Sequence, residues 1–429
     1  MIRQNRRTSK CPTIVVVGAG FGGMQAAQSL TGCGADVLLI DRNNYNTFVP
    51  LLYQVATAQI APEMIAYPIR TILRGRRRVR FMQAEVQRVD FDRQVVETKD
   101  TVISYDYLVL AMGSQPRFLG VEGAADHALP LLSLKDAIAL RNHLFECFEQ
   151  ASRTLDRQRR QALLTFVIVG GGPTGVEMAG ALVELTRSLK QDYPGLDWRE
   201  VQIVLVQSGD SLLVNLPARL GRYTDRKLSR LGVNVLFNTK VSYVTAHSVV
   251  FEDGDIGAKG ERMTQERMTE TVIWAAGLEA AVVEGTATAK EARSQKLKVR
   301  PTLQLDDYDN VYAIGDLSYV EQDGESLSGV APEALQQGVA VARNLAKQLR
   351  GQSLETFAYF NKGRLAIIGG YAGVGKIGPV LLTGFIPWLM WLGVHGVYLP
   401  GFRNRLLVLL SWMQSYVLGE RAIRVIMRL

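Results

Sequence analysis

The sequence predicts an α/β protein with two parallel-sheet domains, the second inserted into the first, followed by a helical C-terminal segment. Two glycine-rich turns and one returning strand predict it. The apolar run Thr13–Val17 leads into Gly18-Ala-Gly20-Phe-Gly22-Gly23, and Leu164–Val169 leads into Gly170-Gly-Gly172-Pro-Thr-Gly175. Each reads as strand, tight turn and helix start. The glycines let a turn close and let the backbone approach a pyrophosphate, and the helix N-terminus that follows favours negative charge. Val311-Tyr-Ala-Ile-Gly315-Asp316 then reads as a return to the first sheet, which makes the stretch before it an insertion. On this reading residues 11–130 and 299–365 form the first domain, 131–163 a charged helical connector, 164–298 the second domain and 366–429 the C-terminal region.

Met24–Leu30 and Val176–Leu182 continue the two turns as helices whose small residues face a sheet. The strand after the first helix, Asp36–Ile40, ends in Asp41, a carboxylate placed to accept ribose hydroxyls. Its counterpart Val201–Val206 ends in Gln207. An amide there can donate as well as accept, and it does not repel a 2′-phosphate. Strands over Phe81–Val86 and Val95–Thr98 follow in the first domain, which closes on Tyr107–Gly113; the second domain closes on Val272–Gly277. The polar stretch Glu252–Thr271 reads as a hairpin tip without function.

The net charge is +8, with Arg70, Arg74, Arg76, Arg77, Arg78 and Arg80 in one run and Arg3, Arg6, Arg7 and Lys10 at the start. No aromatic interleaving accompanies the run, so it reads as a solvated or anionic-membrane-facing surface and not as a nucleic-acid site. The 3 cysteines and 4 histidines are scattered, which argues against a metal site and a redox disulfide and for a reducing compartment. Residues 1–10 lack the apolar core of a signal peptide. Ile377–Phe402 carries no formal charge, but Pro379, Pro387, Pro400 and several glycines break it. Asn404–Leu429 places Asn404, Ser411, Gln414, Ser415, Arg421, Arg424 and Arg428 as a polar, basic edge beside a broad apolar face. That pattern predicts an amphipathic helix on a membrane surface, with a homodimer face or a docked core helix as the alternatives.

These motifs together resemble the two-dinucleotide-binding-domain flavoproteins, and within them the type II NADH dehydrogenases, the non-proton-pumping NAD(P)H:quinone oxidoreductases. The likeness runs through Val17–Gly23, Asp41–Tyr45, Pro50–Ala56, Gly170–Glu177, Trp274–Gly277, Ala313–Asp316 and Phe402–Arg405. It implies FAD in the first domain, NADPH or NADH as substrate in the second, and a C-terminal segment on the membrane surface. Electrons then pass from nicotinamide through flavin to a membrane quinone. The resemblance assigns Gly18, Gly20, Gly22, Gly23, Asp41, Arg42, Pro50, Val86, Gly113, Gly315 and Asp316 to the flavin side. It assigns Gly170, Gly172, Gly175, Gln207 and Gly277 to the nicotinamide nucleotide. Catalytic roles fall to Glu177, in the first turn of the second phosphate helix and near the nicotinamide–flavin contact, to Lys362 near the flavin, and to Gln336 and Gln337 as quinone contacts, with Pro50 and Leu51 at the apolar entrance.

Two departures refine this expectation. The family's A-Q-x-A-x-Q-Q-G helix reads Ala331-Pro332-Glu-Ala-Leu-Gln336-Gln337-Gly338, so Pro332 removes one amide. Together Pro332 and Gln207 resemble the cyanobacterial and plastid branch, associated with plastoquinone and demethylphylloquinone. That implies an NADPH-accepting peripheral protein on the cytoplasmic-type face of a thylakoid or plasma membrane. A general respiratory NADH:ubiquinone or menaquinone reductase, and a flavin-bearing redox sensor or binding module without turnover, are the alternatives. A disulfide reductase or a sulfide:quinone oxidoreductase needs cysteines at the flavin, and Cys11 and Cys33 are wrongly placed for that.

Overall fold

The computed structural model describes residues 11–256, 262–286, 296–419, 421 and 423–426. Arg3, Arg6, Arg7, Lys10 and Arg428 of the sequence reading lie outside the described residues, as does the tip of the hairpin at 257–261. In chain order the elements that matter are β1 (Thr13–Val17), α1 (Phe21–Ser29), β2 (Asp36–Asp41), α2 (Leu52–Ala56), β3 (Val79–Gln83), β4 (Tyr107–Leu110), β5 (Leu129–Pro130) and α3 (Leu134–Arg153). They continue with β6 (Thr165–Val169), α4 (Pro173–Ser188), β7 (Gln202–Val206), β8 (Val233–Leu236), β9 (Thr271–Trp274), β10 (Val311–Ala313) and α5 (Ala331–Gln348). The last are β11 (Arg364–Gly369), β12 (Ala372–Ile377), β13 (Val380–Gly384), α6 (Phe385–Tyr398) and α7 (Phe402–Met413).

The chain divides into two compact units. The first takes residues up to Asn46, then Tyr67–Gln115 and Leu278–Asn361; the second takes Thr47–Ala66, Pro116–Gly277 and Lys362–Leu429. Thr47–Ala66, which the sequence reading left in the first domain, groups with the second unit. The cause is α2, buried at all five positions and packed on α3 and α4.

The first unit is built on a five-stranded parallel sheet in the order β10-β4-β1-β2-β3. The continuous apolar run of β1 is what a strand covered on both faces requires, and Ile14, Val15 and Val16 are fully buried. α1 lies against α5 at a glycine contact: a Cβ on Gly338 would stand 2.5 Å from the Gly22 carbonyl oxygen. The expected strand Phe81–Val86 is two strands. β3 ends at Gln83, the Ala84 N–H turns to the Asp41 carbonyl at 2.9 Å, and Val86 opens an antiparallel meander of Val86–Asp90, Val95–Thr98 and Val102–Ser104.

The second unit repeats the plan in the order β5-β9-β6-β7-β8, again parallel, with all of β6 buried. The charged connector folds as α3 and a short helix Arg157–Leu163. Ser133 and Asp136 close a capping box on the first, and Asp156 accepts the Gln158 and Arg159 N–H groups on the second.

The C-terminal region departs most from expectation. β11, β12 and β13 form an antiparallel sheet, and α6 follows directly. The helix expected over Asn404–Leu429 is α7 plus one π turn, Gln414–Leu418, and it stops at Gly419 with φ +70°. Its polar edge faces the protein and its apolar face is exposed. Asn404 is buried and donates to the Glu63 carbonyl at 3.4 Å, Ser411 meets Met64 Sδ at 3.4 Å, and Arg421 is buried. Leu406, Leu409, Leu410, Met413, Val417 and Leu418 are exposed, as are Phe385, Ile386, Leu389 and Val397 on α6. Among the described residues no helix is long and apolar enough to cross a membrane.

Candidate functional site

The two glycine turns share one geometry, and each glycine has its own reason. Gly18 and Gly170 hold φ of +99° and +111°, open to glycine and costly for other residues. A Cβ on Gly23 or on Gly175 would stand 1.9 Å from the carbonyl oxygen of Gly18 or Gly170, so the helix could not close on its own turn. The middle glycines are different. Gly20 and Gly172 have ordinary φ values of −69° and −74°, and a Cβ on either meets nothing within 4 Å. Glycine at these two positions leaves the backbone at the starts of α1 and α4 approachable where a side chain would otherwise stand, which makes a cradle of each turn. A pyrophosphate fits that cradle in both units. Gly172→Ala is therefore expected to leave the melting temperature near its original value and to raise the nicotinamide-nucleotide KM about tenfold, a loss of ~1.4 kcal/mol. Steady-state kinetics beside a thermal melt checks both parts.

The strand ends beside the turns also correspond. Asp41 Oδ2 accepts the Ala19 N–H at 2.7 Å and Oδ1 accepts Asn43 N–H at 2.7 Å. Burial nevertheless outweighs these bonds and Arg42, and the Asp41 pKa is raised. In the second unit Gln207 Oε1 accepts the Gly171 N–H at 2.9 Å. Gln207 thus takes up the same loop contact as Asp41 by its oxygen, and its NH2 group lies beside Gly209, where a Cβ would stand 3.3 Å from Nε2.

Asp316 sits just past β10, after Gly315 with φ +73°. Gln337, buried on α5, holds that turn by accepting the Gly315 N–H at 2.5 Å. Ser114 donates its hydroxyl to Asp316 Oδ2 at 3.1 Å. Burial raises the Asp316 pKa, against the Ser114 bond and the Lys296 charge. A half-buried carboxylate held at a strand end can accept several hydroxyl donors, as a ribityl chain offers.

Glu177 is the fifth residue of α4, in its second turn and not its first. It faces away from the phosphate cradle because α4 lies flat on β11: a Cβ on Gly180 would stand 2.0 Å from the Ile368 carbonyl oxygen. The carboxylate accepts the Ile367 N–H at 3.2 Å and bonds the Trp391 side chain. Burial dominates both bonds and pushes its pKa up to about 8, so the group holds a proton at neutral pH. Trp391 stacks on His395 at 3.7 Å and meets Tyr53 edge-on at 6.2 Å. Among the described residues no three His, Cys, Asp or Glu side chains converge to hold a metal ion.

Residues 12–338 match the pyridine nucleotide-disulphide oxidoreductase family. The chain is 35% identical over 422 residues to a type II NADH:quinone oxidoreductase of Mycobacterium tuberculosis, covering 95% of this chain and 89% of that one. The chain belongs to the type II NADH:quinone oxidoreductases. A Staphylococcus aureus member is 29% identical over 374 residues, covering 85% of this chain and 89% of its own. The fold superposes on NDH2 from Plasmodium falciparum, solved in complex with NADH, with TM-score 0.88 at 20% identity over 98% of this chain and 100% of that one.

In this family member the remaining expected residues are placed as follows. Gln336 is spent on the backbone: Nε2 donates to the Phe360 carbonyl and Oε1 accepts the Phe360 N–H, both at 2.9 Å. With Gln337 tied to Gly315, both glutamines hold their own unit together, which the residue pattern does not reveal. Gly22 packs on Ile314 and α5 and serves helix contact. Arg42 is exposed and 4.0 Å from Glu85; Val86 is buried at the start of the meander. Pro50 is half-buried in a short 3₁₀ turn, and Lys362 is exposed before β11. Gly113 and Gly277, each with φ +74°, close equivalent turns after β4 and β9. Sequence reasoning missed Asn46, buried and donating to the Ala19 carbonyl at 2.6 Å, and it missed Tyr53, Gln54 and Trp412.

Proposed function

We propose that the protein is an FAD enzyme that oxidises NADPH or NADH and reduces a membrane quinone without pumping protons. The observation that carries the reading is the pair of cradles at Gly20 and Gly172, where a Cβ would meet nothing within 4 Å and a pyrophosphate has room. FAD supplies the two-electron chemistry that links nicotinamide to quinone. The chain's own residues do the rest. Gly18, Gly20 and Gly23 hold the FAD pyrophosphate, Asp41 its adenosine ribose and Asp316 its ribityl chain; Gly170, Gly172 and Gly175 hold the nicotinamide nucleotide. Glu177 keeps a proton beside the Trp391 cluster. The exposed apolar faces of α6 and α7 support a monotopic association in which they meet the lipid.

Gln207 and Pro332 support the finer assignment, an NADPH-accepting enzyme of the plastoquinone or demethylphylloquinone branch. With Oε1 committed to Gly171, the Gln207 NH2 group is left to donate to a 2′-oxygen or 2′-phosphate. The relatives named above are NADH:quinone oxidoreductases and support a general respiratory role equally. Assays of the purified yellow protein with NADH and NADPH against plastoquinone and naphthoquinone analogues separate the two. Turnover with NADPH is expected, and Gln207→Glu is expected to lower kcat/KM for NADPH relative to NADH at least tenfold, ~1.4 kcal/mol, through like-charge repulsion at the 2′-phosphate. Absence of NADPH turnover in the parent enzyme overturns the finer assignment and leaves the respiratory one.

A further inference from the structure

α2 carries a hydrogen-bond chain whose last proton has no acceptor among the described residues. Tyr53, Gln54 and Trp412 are 4%, 0% and 3% exposed. An indole N–H can only donate. Trp412 Nε1 donates to Gln54 Oε1 at 2.7 Å, and this fixes which end of the amide is oxygen. The amide nitrogen then faces Tyr53, and Gln54 Nε2 donates to the Tyr53 hydroxyl at 3.0 Å. The phenol oxygen is thus an acceptor toward Gln54, and its own proton must point elsewhere. Among the described residues no acceptor takes that proton; the Gln54 contact is the one hydrogen bond of the Tyr53 hydroxyl. A buried O–H without an acceptor is costly, by about 1–3 kcal/mol. Such a group needs an acceptor, and a ligand oxygen is one that can complete the bond.

We propose that Tyr53 donates this hydrogen bond to a carbonyl oxygen of the quinone, aimed by the Trp412–Gln54 pair. The assignment rests on the quinone-reductase reading above. An oxidised quinone ring is flat, and its carbonyls accept and cannot donate, which matches a spare donor set among aromatic faces. Trp391 lies edge-on to Tyr53, and Trp391 in turn stacks on His395. The chain of bonds begins on α7, which exposes Leu406, Leu409, Leu410 and Met413, the surface along which an isoprenoid tail would lie. Tyr53 is here a substrate contact; Gln54 and Trp412 are positioning residues that act through it.

The test uses the full-length, flavin-loaded enzyme. Tyr53→Phe keeps the ring and removes the hydroxyl. It is expected to raise KM for a short-tailed plastoquinone analogue about tenfold, the loss of one neutral hydrogen bond, with kcat changed less. Ferricyanide, which has no carbonyl, is expected to be reduced at the parent rate, and flavin bleaching by NADH in a stopped-flow trace is expected to keep its rate. Trp412→Phe, which frees the amide to flip, is expected to shift quinone KM in the same direction by a smaller factor. Parent-like quinone KM in Tyr53→Phe overturns the proposal, as does an equal loss with quinone and ferricyanide. Should Tyr53→Phe fold poorly, Gln54→Leu keeps the phenol and loses the aim; an unchanged quinone KM there overturns it equally. A parent enzyme that oxidises NADH and NADPH with ferricyanide and never with quinone sinks the functional reading itself, and the two failures are told apart.

Discussion

Asp316→Ala protein is expected to purify nearly colourless. Asp316 stands where the first unit narrows to a carboxylate with one supporting hydroxyl, Ser114, and a turn held from below by Gln337. Hydrogen bonds to a charged, partly buried acceptor are worth about 1.5–3 kcal/mol each, roughly double their neutral counterparts. Removing the carboxylate therefore lowers flavin affinity by about a hundredfold or more if two ribityl hydroxyls bond it. The fold has little reason to suffer: Asp316 lies outside the apolar core, and its loss removes an acceptor from the rotatable Ser114 hydroxyl and a charge from the side of Lys296. The absorbance ratio of flavin to protein after gel filtration measures the effect, and adding excess FAD is expected to restore colour and turnover together. Asp316→Asn, which keeps one acceptor oxygen, should fall between. A colourful Asp316→Ala protein with parent flavin content would falsify the assignment and return Asp316 to a turn-capping role.

The features legible in the sequence share a physical property: they are local. Gly18, Gly23, Gly170 and Gly175 answer to φ and to a helix closing on its own turn a few residues away, so their spacing is dictated within one motif. Asp41 and Gln207 lie at strand ends a fixed step downstream, and their shared contact with the loop follows from the same local geometry. What the sequence hid is non-local. Helical periodicity tells which residues of α7 share a stripe; it does not tell which stripe faces water. Asn404 and Arg421 fall on a polar edge by periodicity alone, and what that edge meets is fixed elsewhere: Arg421 pairs with Glu184 at 3.2 Å across 237 positions of the chain. That partner satisfies the guanidinium inside and turns the leucines out, an arrangement only a lipid or protein surface can make favourable. Gln54 and Trp412 are 358 positions apart, so no pattern in either segment announces their bond. Gln336 and Gln337 add a further non-local fact: both amide atoms of Gln336 bond Phe360, and the Gln337 oxygen accepts the Gly315 N–H.

Glu177→Gln is expected to flatten the pH dependence of both stability and turnover. Desolvation holds the Glu177 pKa at about 8, against the lowering effect of the Ile367 N–H and the Trp391 side chain. Below pH 4.5, the ordinary value, folded and unfolded chains both carry the proton and nothing is lost. Between there and about pH 8 the unfolded chain releases it and the folded chain retains it. Stability therefore declines as pH rises, by ~1.4 kcal/mol per unit and on the order of 5 kcal/mol in all, and levels off above the folded value. A glutamine cannot ionise, so the variant should lose that decline and match or exceed the parent above pH 8 in a melting series. Activity should move the other way. Quinone reduction takes up protons, and a carboxyl group that keeps its proton until pH 8 is suited to supply one, an effect commonly worth 10²–10⁴ in rate. The parent rate should then fall above about pH 8, where the group ionises, and Glu177→Gln should lower kcat at least tenfold and erase that alkaline limb. A variant that is slower but keeps the same alkaline midpoint would show that the carboxyl positions substrate and that another group carries the proton. A variant as fast as the parent would reduce Glu177 to a buried acid tolerated for packing. The more stable, slower protein is the outcome that a proton held in an apolar site for function requires, because the energy lost to burial is then recovered only in turnover.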